Sequence, residues 1–258
     1  MMSGDLFQLD VTDNVAILRI NRPDKLNALT AEMIDDLGDL CRKIERRKDI
    51  GVLILTGVGK AFCAGGDITA WSDEPPADFG RHWVRDGHDA FDRLARLRQP
   101  VIAVLNGHAL GGGLELAACA DYRIAEAHIK IGQPEAGLGI IAGWSGTQRT
   151  VRRFGAQIVR RMAVFGEILS AQEACLAGVV DQVAETGTGI AAAQSVAQRL
   201  LSRSPLATEL SKMLINAAEG EEVGRVLESL AARIAASGKD LSEGLAAFKE
   251  KRPPKFHG

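Results

Sequence analysis

Residues 100–115 read PVIAVLNGHALGGGLE, a short apolar run that ends in three consecutive glycines and a glutamate. The segment 101–105 is apolar and rich in β-branched residues, which predicts a buried strand. The wider segment 101–120 is long enough to span a bilayer, but polar side chains including Glu115 lie within it. Ionisable groups at that depth are costly. The proline and the glycines instead favour a strand, a loop and a helix that opens near Gly112.

Other segments continue this alternation of strands and helices. Residues 14–21 and 51–57 are short runs rich in apolar residues, and both predict strands. Between them, Thr30 is a suitable N-cap for a helix whose apolar positions are spaced by four, three and four residues. Because strands and helices alternate up to about Val183, we predict an α/β protein.

The pattern changes near residue 200, and from there on it is helical only. We therefore predict a core over residues 1–200 and a helical C-terminal region over residues 201–258. A region of this size has little core of its own. Five apolar side chains form one face of a predicted helix: Val223, Val226, Leu227, Leu230 and Ile234. We expect this face to be buried against the core or against another subunit.

The overall composition excludes several classes of protein. With 258 residues, of which 46% are hydrophobic and 25% charged, the chain has the balance of a soluble globular protein. A net charge of −2 gives no electrostatic argument for binding nucleic acid or an anionic membrane. The four cysteines are widely spaced and predict neither a disulfide framework nor a zinc site. The N-terminal residues lack the features of a signal peptide, and we expect a cytoplasmic protein that binds no metal.

The three glycines before Glu115 allow the backbone to approach a ligand closely. If a helix begins near Gly112, the Gly112 amide has no acceptor within the helix and can donate to a ligand oxygen, helped by the helix dipole. Glu115 lies about one turn further on, and its side chain leans back toward the same helix start. On its own, the pattern is more often that of a glycine-rich turn with a solvent-facing glutamate.

Two more segments add to this picture. The sequence CAGGD at residues 63–67 offers backbone amides without bulky side chains. Two amides from separate loops can form an oxyanion hole, which stabilises a carbonyl oxygen as it gains negative charge. Glu135 follows Pro134 in a loop rich in glycine, with Trp144 nearby in the sequence. A carboxyl in an apolar pocket has a raised pKa, which suits an acid or base that acts near neutral pH.

Taken in order along the chain, these segments resemble the enoyl-CoA hydratase/isomerase (crotonase) family. The resemblance extends to INRP at 20–23, LNAL at 26–29 and GTQR at 146–149, and it covers nearly the whole chain. It implies a crotonase-like fold, a right-handed spiral of β-β-α units. It also implies a helical C-terminal region that mediates assembly into a homotrimer, often as a dimer of trimers.

By position, the resemblance makes Glu115 and Glu135 the catalytic pair, and it assigns the oxyanion-hole amides to Gly66 and Gly112. The residues that it implies for binding an acyl-CoA substrate are Lys25, Leu26, Ala64, Gly66, Asp67, Ile68, Thr69 and Gly112. Thr69 departs from the lysine that some hydratases carry there, which is one possible contact to the CoA phosphates.

The presence of both glutamates favours reversible syn hydration of a trans-2-enoyl-CoA to a 3-hydroxyacyl-CoA. No cofactor is implied, because coenzyme A belongs to the substrate and the amides carry the enolate charge. One alternative is a Δ3,Δ2-enoyl-CoA isomerase, which needs a single base. A second is a non-catalytic or RNA-binding family member, although the balanced charge counts against RNA. We expect no nucleic-acid or membrane partner, and the sequence leaves acyl chain length open.

Overall fold

The computed structural model describes residues 6–70, 75–224, 226–227, 229–231 and 239–256. The chain divides into two compact units, Met1–Glu209 and Leu210–Gly258. The change in sequence pattern predicts a boundary near residue 200. The role expected for the smaller unit, oligomerisation, stays a prediction.

Two β-sheets form the framework of the larger unit. Their strands are β1 (Phe7–Thr12), β2 (Val15–Ile20), β3 (Val52–Gly57), β4 (Val101–Leu105), β5 (Ala109–Leu110), β6 (Tyr122–Glu126), β7 (Lys130–Gly132), β8 (Ile168–Ser170) and β9 (Gln182–Ala184). The six-stranded sheet has the order β1-β2-β3-β4-β6-β9 and is parallel apart from the β1–β2 pair. The three-stranded sheet has the order β5-β7-β8, in which β5 and β7 are parallel and β8 is antiparallel to β7.

Helices alternate with these strands along the chain and continue after the last strand, and the mixture confirms the predicted α/β class. They are α1 (Ala31–Glu45), α2 (Pro76–Asp78), α3 (Arg85–Ala95), α4 (Gly112–Ala117), α5 (Gln148–Phe154), α6 (Ala156–Ala163), α7 (Ala171–Leu176), α8 (Gly189–Leu201), α9 (Pro205–Ala218) and α10 (Lys239–Glu250). Shorter 3₁₀ turns occur at Pro23–Lys25, Ile68–Ala70 and Glu135–Leu138, and Phe79–Val84 is π-helical.

The central strands are mainly apolar because both of their faces are covered. All residues of β3 and β4 are buried. On β3, Leu53 and Leu55 belong to one apolar cluster, whereas Val52 and Ile54 belong to another on the opposite face. The Thr30 hydroxyl accepts a hydrogen bond from the amide of residue 33 at 3.3 Å, so the predicted cap of α1 is confirmed.

The chain passes twice from the large sheet to the small sheet and then into a helix. β4 leads to β5 and α4, and β6 leads to β7 and the 3₁₀ turn Glu135–Leu138. β5 and β7 lie side by side, with Ala109 opposite Ile131 and Leu110 opposite Gly132. Because these parallel strands end at the same edge, the segments that follow them meet there. This pairing brings Glu115 and Glu135 to one site although they are distant in the sequence.

Segment 101–120 forms β4, β5 and α4, as the glycines predicted. Across the described residues, the helices are all too short or too polar to cross a membrane.

In the smaller unit, Val226 is buried, whereas Val223 and Leu227 are exposed. Ile234, the last member of the predicted apolar face, lies outside the described residues, and the burial expected for this face stays a prediction.

Candidate active site

Glu115 is held in the first turns of α4 by the backbone of a distant loop. The side chain is buried, and the residue is 3% exposed. Its Oε1 accepts hydrogen bonds from the amides of Trp144 at 2.6 Å and Gly146 at 2.7 Å. Both donors lie just before α5. Oε2 makes no hydrogen bond within the described part of the chain, so it is available to a bound molecule in the cavity that Glu115 lines.

The surroundings of Glu115 adjust its proton affinity in opposing directions. Burial raises the pKa of Glu115 to about 7, and the neighbouring charge of Glu135 acts in the same direction. The amides of Trp144 and Gly146 favour the ionised form and limit the rise, as does the charge of Arg149. A carboxyl with this pKa exchanges a proton readily near neutral pH.

Glu135 begins the 3₁₀ turn after β7 and is partly buried. Its Oε1 is buried and has no hydrogen-bond partner among the described residues. A buried carboxyl oxygen without a partner is costly, especially when it is charged. Burial accordingly raises the pKa of Glu135. Two carboxyls with raised pKa values therefore line one cavity.

Each glycine of the triplet is required for a different reason. Gly111 has a φ of +55°, and a Cβ there would lie 3.1 Å from Oε1 of Glu135. A Cβ on Gly112 would lie 2.9 Å from the indole ring of Trp144. A Cβ on Gly113 would lie only 2.0 Å from a carbonyl oxygen of the CAGGD segment. The start of α4 can therefore pack against three neighbours only because it has no side chains there.

The two amides predicted for the oxyanion hole lie on adjacent segments, one in CAGGD and one at the start of α4. A Cβ on Gly65 would lie 3.1 Å from the nitrogen of Gly112, and a parallel bridge joins Cys63 to Ala109. Gly66 and Gly112 both line the cavity. Within the described residues, neither of their amides donates a hydrogen bond to the protein. Both donors are therefore available to a ligand, and their convergence on one oxygen remains a proposal.

The cavity between these loops has a volume of about 130 Å³ and is largely apolar. Its large apolar lining residues are Ile68, Phe79, Trp83, Leu110, Leu138, Ile140, Ile141 and Trp144. Among the described residues that line it, only Glu115 and Glu135 are ionisable. A hydrocarbon chain would therefore be well accommodated with its reactive end beside the two carboxyls.

Four of the residues predicted to bind substrate line the cavity, namely Ala64, Gly66, Ile68 and Gly112. Lys25 and Leu26 are not among its described lining residues. Lys25 is exposed at the end of a 3₁₀ turn, and Leu26 follows in a left-handed conformation. The Leu26 carbonyl accepts from the Ala64 amide at 3.1 Å, so this turn lies beside the CAGGD segment. A role for these two residues in binding stays a prediction.

Asp67 and Thr69 also lie outside the described lining of the cavity. Asp67 accepts a hydrogen bond from the Thr69 hydroxyl at 2.7 Å and pairs with Arg22 at 2.6 Å. These two contacts, with the Thr69 bond the larger cause, hold the pKa of Asp67 below its usual range. The structure thus shows these side chains bonded to each other and to Arg22, and contact with substrate stays a prediction.

Sequence reasoning missed the part of the site that lies behind Glu115. Arg149 is fully buried and pairs with Asp92 on α3. The indole of Trp144 donates to the Trp83 carbonyl at 3.0 Å and lies against α3 at Gly87, where a Cβ would be 2.0 Å from the indole nitrogen. A glycine within α3, where a helix favours larger residues, is a signal of this close approach.

Other candidate chemistry finds little support in the described residues. Among them, no group of three or more histidine, cysteine or acidic side chains could hold a metal ion. Cys63 adjoins the site, but burial raises the pKa of its thiol to about 12. It is therefore protonated at neutral pH and is a poor nucleophile.

The chain is similar to known proteins over almost its whole length. Residues 10–258 match the family model described as enoyl-CoA hydratase/isomerase. A crotonyl-CoA hydratase of Syntrophomonas wolfei is 36% identical, covering 96% of each chain. A short-chain-enoyl-CoA hydratase of Clostridium acetobutylicum is 37% identical, covering 95% of this chain and 94% of the relative.

Solved structures agree with these sequence relatives. An enoyl-CoA hydratase from Bacillus anthracis is 34% identical with a TM-score of 0.81, covering 98% of this chain and 99% of that one. DspI of Pseudomonas aeruginosa is 32% identical with a TM-score of 0.82, covering 100% of this chain and 98% of that one. The predicted crotonase-like architecture is confirmed by this likeness. The chain belongs to the enoyl-CoA hydratase/isomerase family.

Proposed function

We propose that the chain is an enoyl-CoA hydratase, which adds water reversibly to a trans-2-enoyl-CoA and forms a 3-hydroxyacyl-CoA. The predicted enzyme class, a hydro-lyase, is confirmed by the hydratase names of relatives aligned over nearly their full length. One observation carries the proposal at the level of residues. Glu115 and Glu135, both with raised pKa values, line one apolar cavity next to two glycine amides that have no acceptor among the described residues.

The thioester carbonyl would accept hydrogen bonds from the amides of Gly66 and Gly112. These donors stabilise the negative charge that develops on the carbonyl oxygen when the β-carbon is attacked. The acyl chain would lie along the apolar wall that includes Trp144. Both carboxyls line this same cavity, and two groups acting from one side of the double bond give syn addition.

Glu115 acts as the base. Its Oε1 is occupied by two amide donors, so Oε2 takes a proton from water as the oxygen bonds to the β-carbon. The electron pair of the double bond moves onto the thioester as an enolate. Glu135 then gives its proton to the α-carbon, which restores the carbonyl and completes the 3-hydroxyacyl-CoA. A proton transfer from Glu115 to Glu135 resets the pair.

This sequence requires that the two carboxyls share one proton before reaction. The raised pKa of each group, and the effect of the Glu135 charge on Glu115, support that state near neutral pH. Glu115 has two amide donors for its ionised form, whereas Oε1 of Glu135 has none among the described residues. The form required for hydration has Glu115 ionised and the proton on Glu135, and the two amide donors of Glu115 favour its ionised state.

The same proposal covers the cofactor, the assembly and the location. No metal or redox cofactor is needed, because the amides carry the enolate charge and coenzyme A arrives as part of the substrate. A homotrimer or dimer of trimers is supported by the family and by the exposed apolar residues Val223 and Leu227 of the smaller unit. The balanced net charge of −2 supports the absence of nucleic-acid partners. The widely spaced cysteines, which predict no disulfide framework, support a cytoplasmic location.

The proposal is tested by adding the wild-type protein to crotonyl-CoA and, separately, to a 3-enoyl-CoA. We expect the absorbance of the conjugated thioester to fall with crotonyl-CoA, and mass spectrometry to show a product heavier by one water. Brisk conversion of the 3-enoyl-CoA with no hydration of crotonyl-CoA or longer 2-enoyl-CoAs would instead identify an isomerase. A gel shift with RNA at low and moderate salt tests the RNA-binding alternative. Specific binding to RNA persists at the higher salt better than weak contacts between charges do.

A further inference from the structure

The bend that supplies the two amide donors of Glu115 contains an unfavourable backbone conformation. Ser145 lies between the donors Trp144 and Gly146 and has a φ of +76°. Residues other than glycine adopt this left-handed conformation at a cost in free energy. Ser145 is also 3% exposed, so its hydroxyl is buried with it. The side chain must therefore make interactions that offset this cost.

The Ser145 hydroxyl contacts a histidine of another element. Its Oγ lies 3.3 Å from Nε2 of His88 on α3. The same nitrogen lies 3.9 Å from Oδ1 of Asp92, one turn further along α3. Asp92 in turn pairs with the buried Arg149 of α5 and with Arg96 at 2.8 Å. The bend before α5 is thus joined to α3 by the His88 contact and, just after it, by the Arg149 ion pair.

We propose that Ser145 and His88 are positioning residues, whose hydrogen bond fixes the bend so that Trp144 and Gly146 both donate to Oε1 of Glu115. Neither side chain lines the cavity. They act through the backbone on either side of Ser145. The turnover measurement of this inference rests on the proposed function. The geometry of the bend and the titration of Glu115 do not depend on that function.

The proposal makes the titration of Glu115 depend on residues that do not touch it. The charged and titratable groups that face Glu115 are Glu135, Arg149 and the Cys63 thiol. The variants that remove the contact between Ser145 and His88 replace none of these groups. If the bend loosens, the amide bonds that favour the ionised carboxylate lengthen, and the pKa of Glu115 rises.

The chain offers a closely matched control for His88. His128 lies 3.1 Å from the hydroxyl of Thr186 and 3.9 Å from a carboxylate oxygen of Glu126. Its side chain is 43% exposed, compared with 38% for His88. His128→Ala therefore removes an equivalent set of contacts in a part of the protein that does not support Glu115.

The experiment titrates the carboxyl carbon of Glu115 by carbon-13 NMR, with Glu115→Gln identifying its signal. We expect His88→Ala and Ser145→Ala each to raise the pKa by about half to one unit, the effect of weakening hydrogen bonds to a charged group. In His88→Gln, which keeps a hydrogen-bonding side chain, the pKa of Glu115 should return part of the way to the wild-type value. In His128→Ala the pKa of Glu115 should match the wild type. Ser145→Gly should be more stable than Ser145→Ala, because it relieves the backbone, yet it should raise the pKa equally.

Turnover supplies a second readout. With crotonyl-CoA, kcat of His88→Ala should fall on the order of tenfold, as expected for a misplaced catalytic group, while KM stays nearly constant. An identical Glu115 titration in His88→Ala and His128→Ala would overturn the inference, even if both variants were less stable. Failure of the wild type to hydrate any enoyl-CoA would overturn the proposed function only, because the NMR titration decides the positioning role without turnover.

Discussion

Replacing Glu115 with glutamine should stabilise the fold more at high pH than at low pH, relative to the wild type. Burial first, and the charge of Glu135 second, raise the pKa of Glu115 from 4.5 to about 7. The native state therefore holds this proton more tightly than the unfolded chain does. The resulting stabilisation is fully present below about pH 4.5 and is lost as the pH rises through about 7.

The expected size follows from that difference. A rise of about 2.5 pH units at 1.36 kcal/mol per unit corresponds to about 3 kcal/mol. Glutamine does not titrate, and its side-chain oxygen can still accept from the amides of Trp144 and Gly146. The free energy of unfolding of Glu115→Gln minus that of the wild type should therefore grow by about 3 kcal/mol between about pH 4 and about pH 8.5.

Urea unfolding at these two pH values measures the difference. Protein concentration must be held constant, because any assembly makes apparent stability depend on concentration. Glu32→Gln is a suitable control, since Glu32 is an exposed glutamate in the first turn of α1. If the Glu115→Gln difference were the same at both pH values, or became smaller as the pH rose, the conclusion that burial raises this pKa would be wrong.

Two further predictions concern the glycines around the site. Gly112→Pro and Gly112→Ala both introduce a Cβ next to Trp144, but only proline removes the amide donor. In folded protein, kcat for crotonyl-CoA should be about 10²–10³-fold lower for proline than for alanine, and equal rates would show that this amide is not used. Gly113→Ala should cost about 3 kcal/mol or more, because its Cβ would lie 2.0 Å from a carbonyl oxygen. Gly137→Ala meets nothing within 4 Å and should stay within about 1 kcal/mol of the wild type; similar thermal unfolding of the two alanine variants would refute the packing argument.

Local patterns in the sequence were enough to predict β2, β3 and β4, the start of α4 and the two candidate carboxyls. A buried strand such as β3 is apolar because both faces are covered, and this leaves a direct trace in the sequence. The glycines before Glu115 leave a trace for a similar reason, since each avoids a close contact. In both cases the physical constraint acts on the residue type itself.

The support of Glu115 could not be predicted in this way. Its two hydrogen-bond donors are backbone amides, and every residue except proline has such a donor. Their position depends on how α5 packs on α3 through Arg149 and Asp92, which are distant in the sequence. The contacts of Asp67 were also unpredictable, because a surface aspartate has the same pattern whether it binds a ligand or pairs with Arg22.

The most direct test of two carboxyls acting together in hydration is a double-mutant cycle with crotonyl-CoA as the substrate. Glu115→Gln and Glu135→Gln should each lower the rate by about 10²–10⁴-fold, the usual contribution of general acid–base catalysis. The double variant should lose less than the product of the two single losses, because the two groups act as a unit, and Glu32→Gln should match the wild type. Near wild-type hydration by Glu115→Gln, or losses that multiply in full, would contradict a shared role for Glu115 and Glu135.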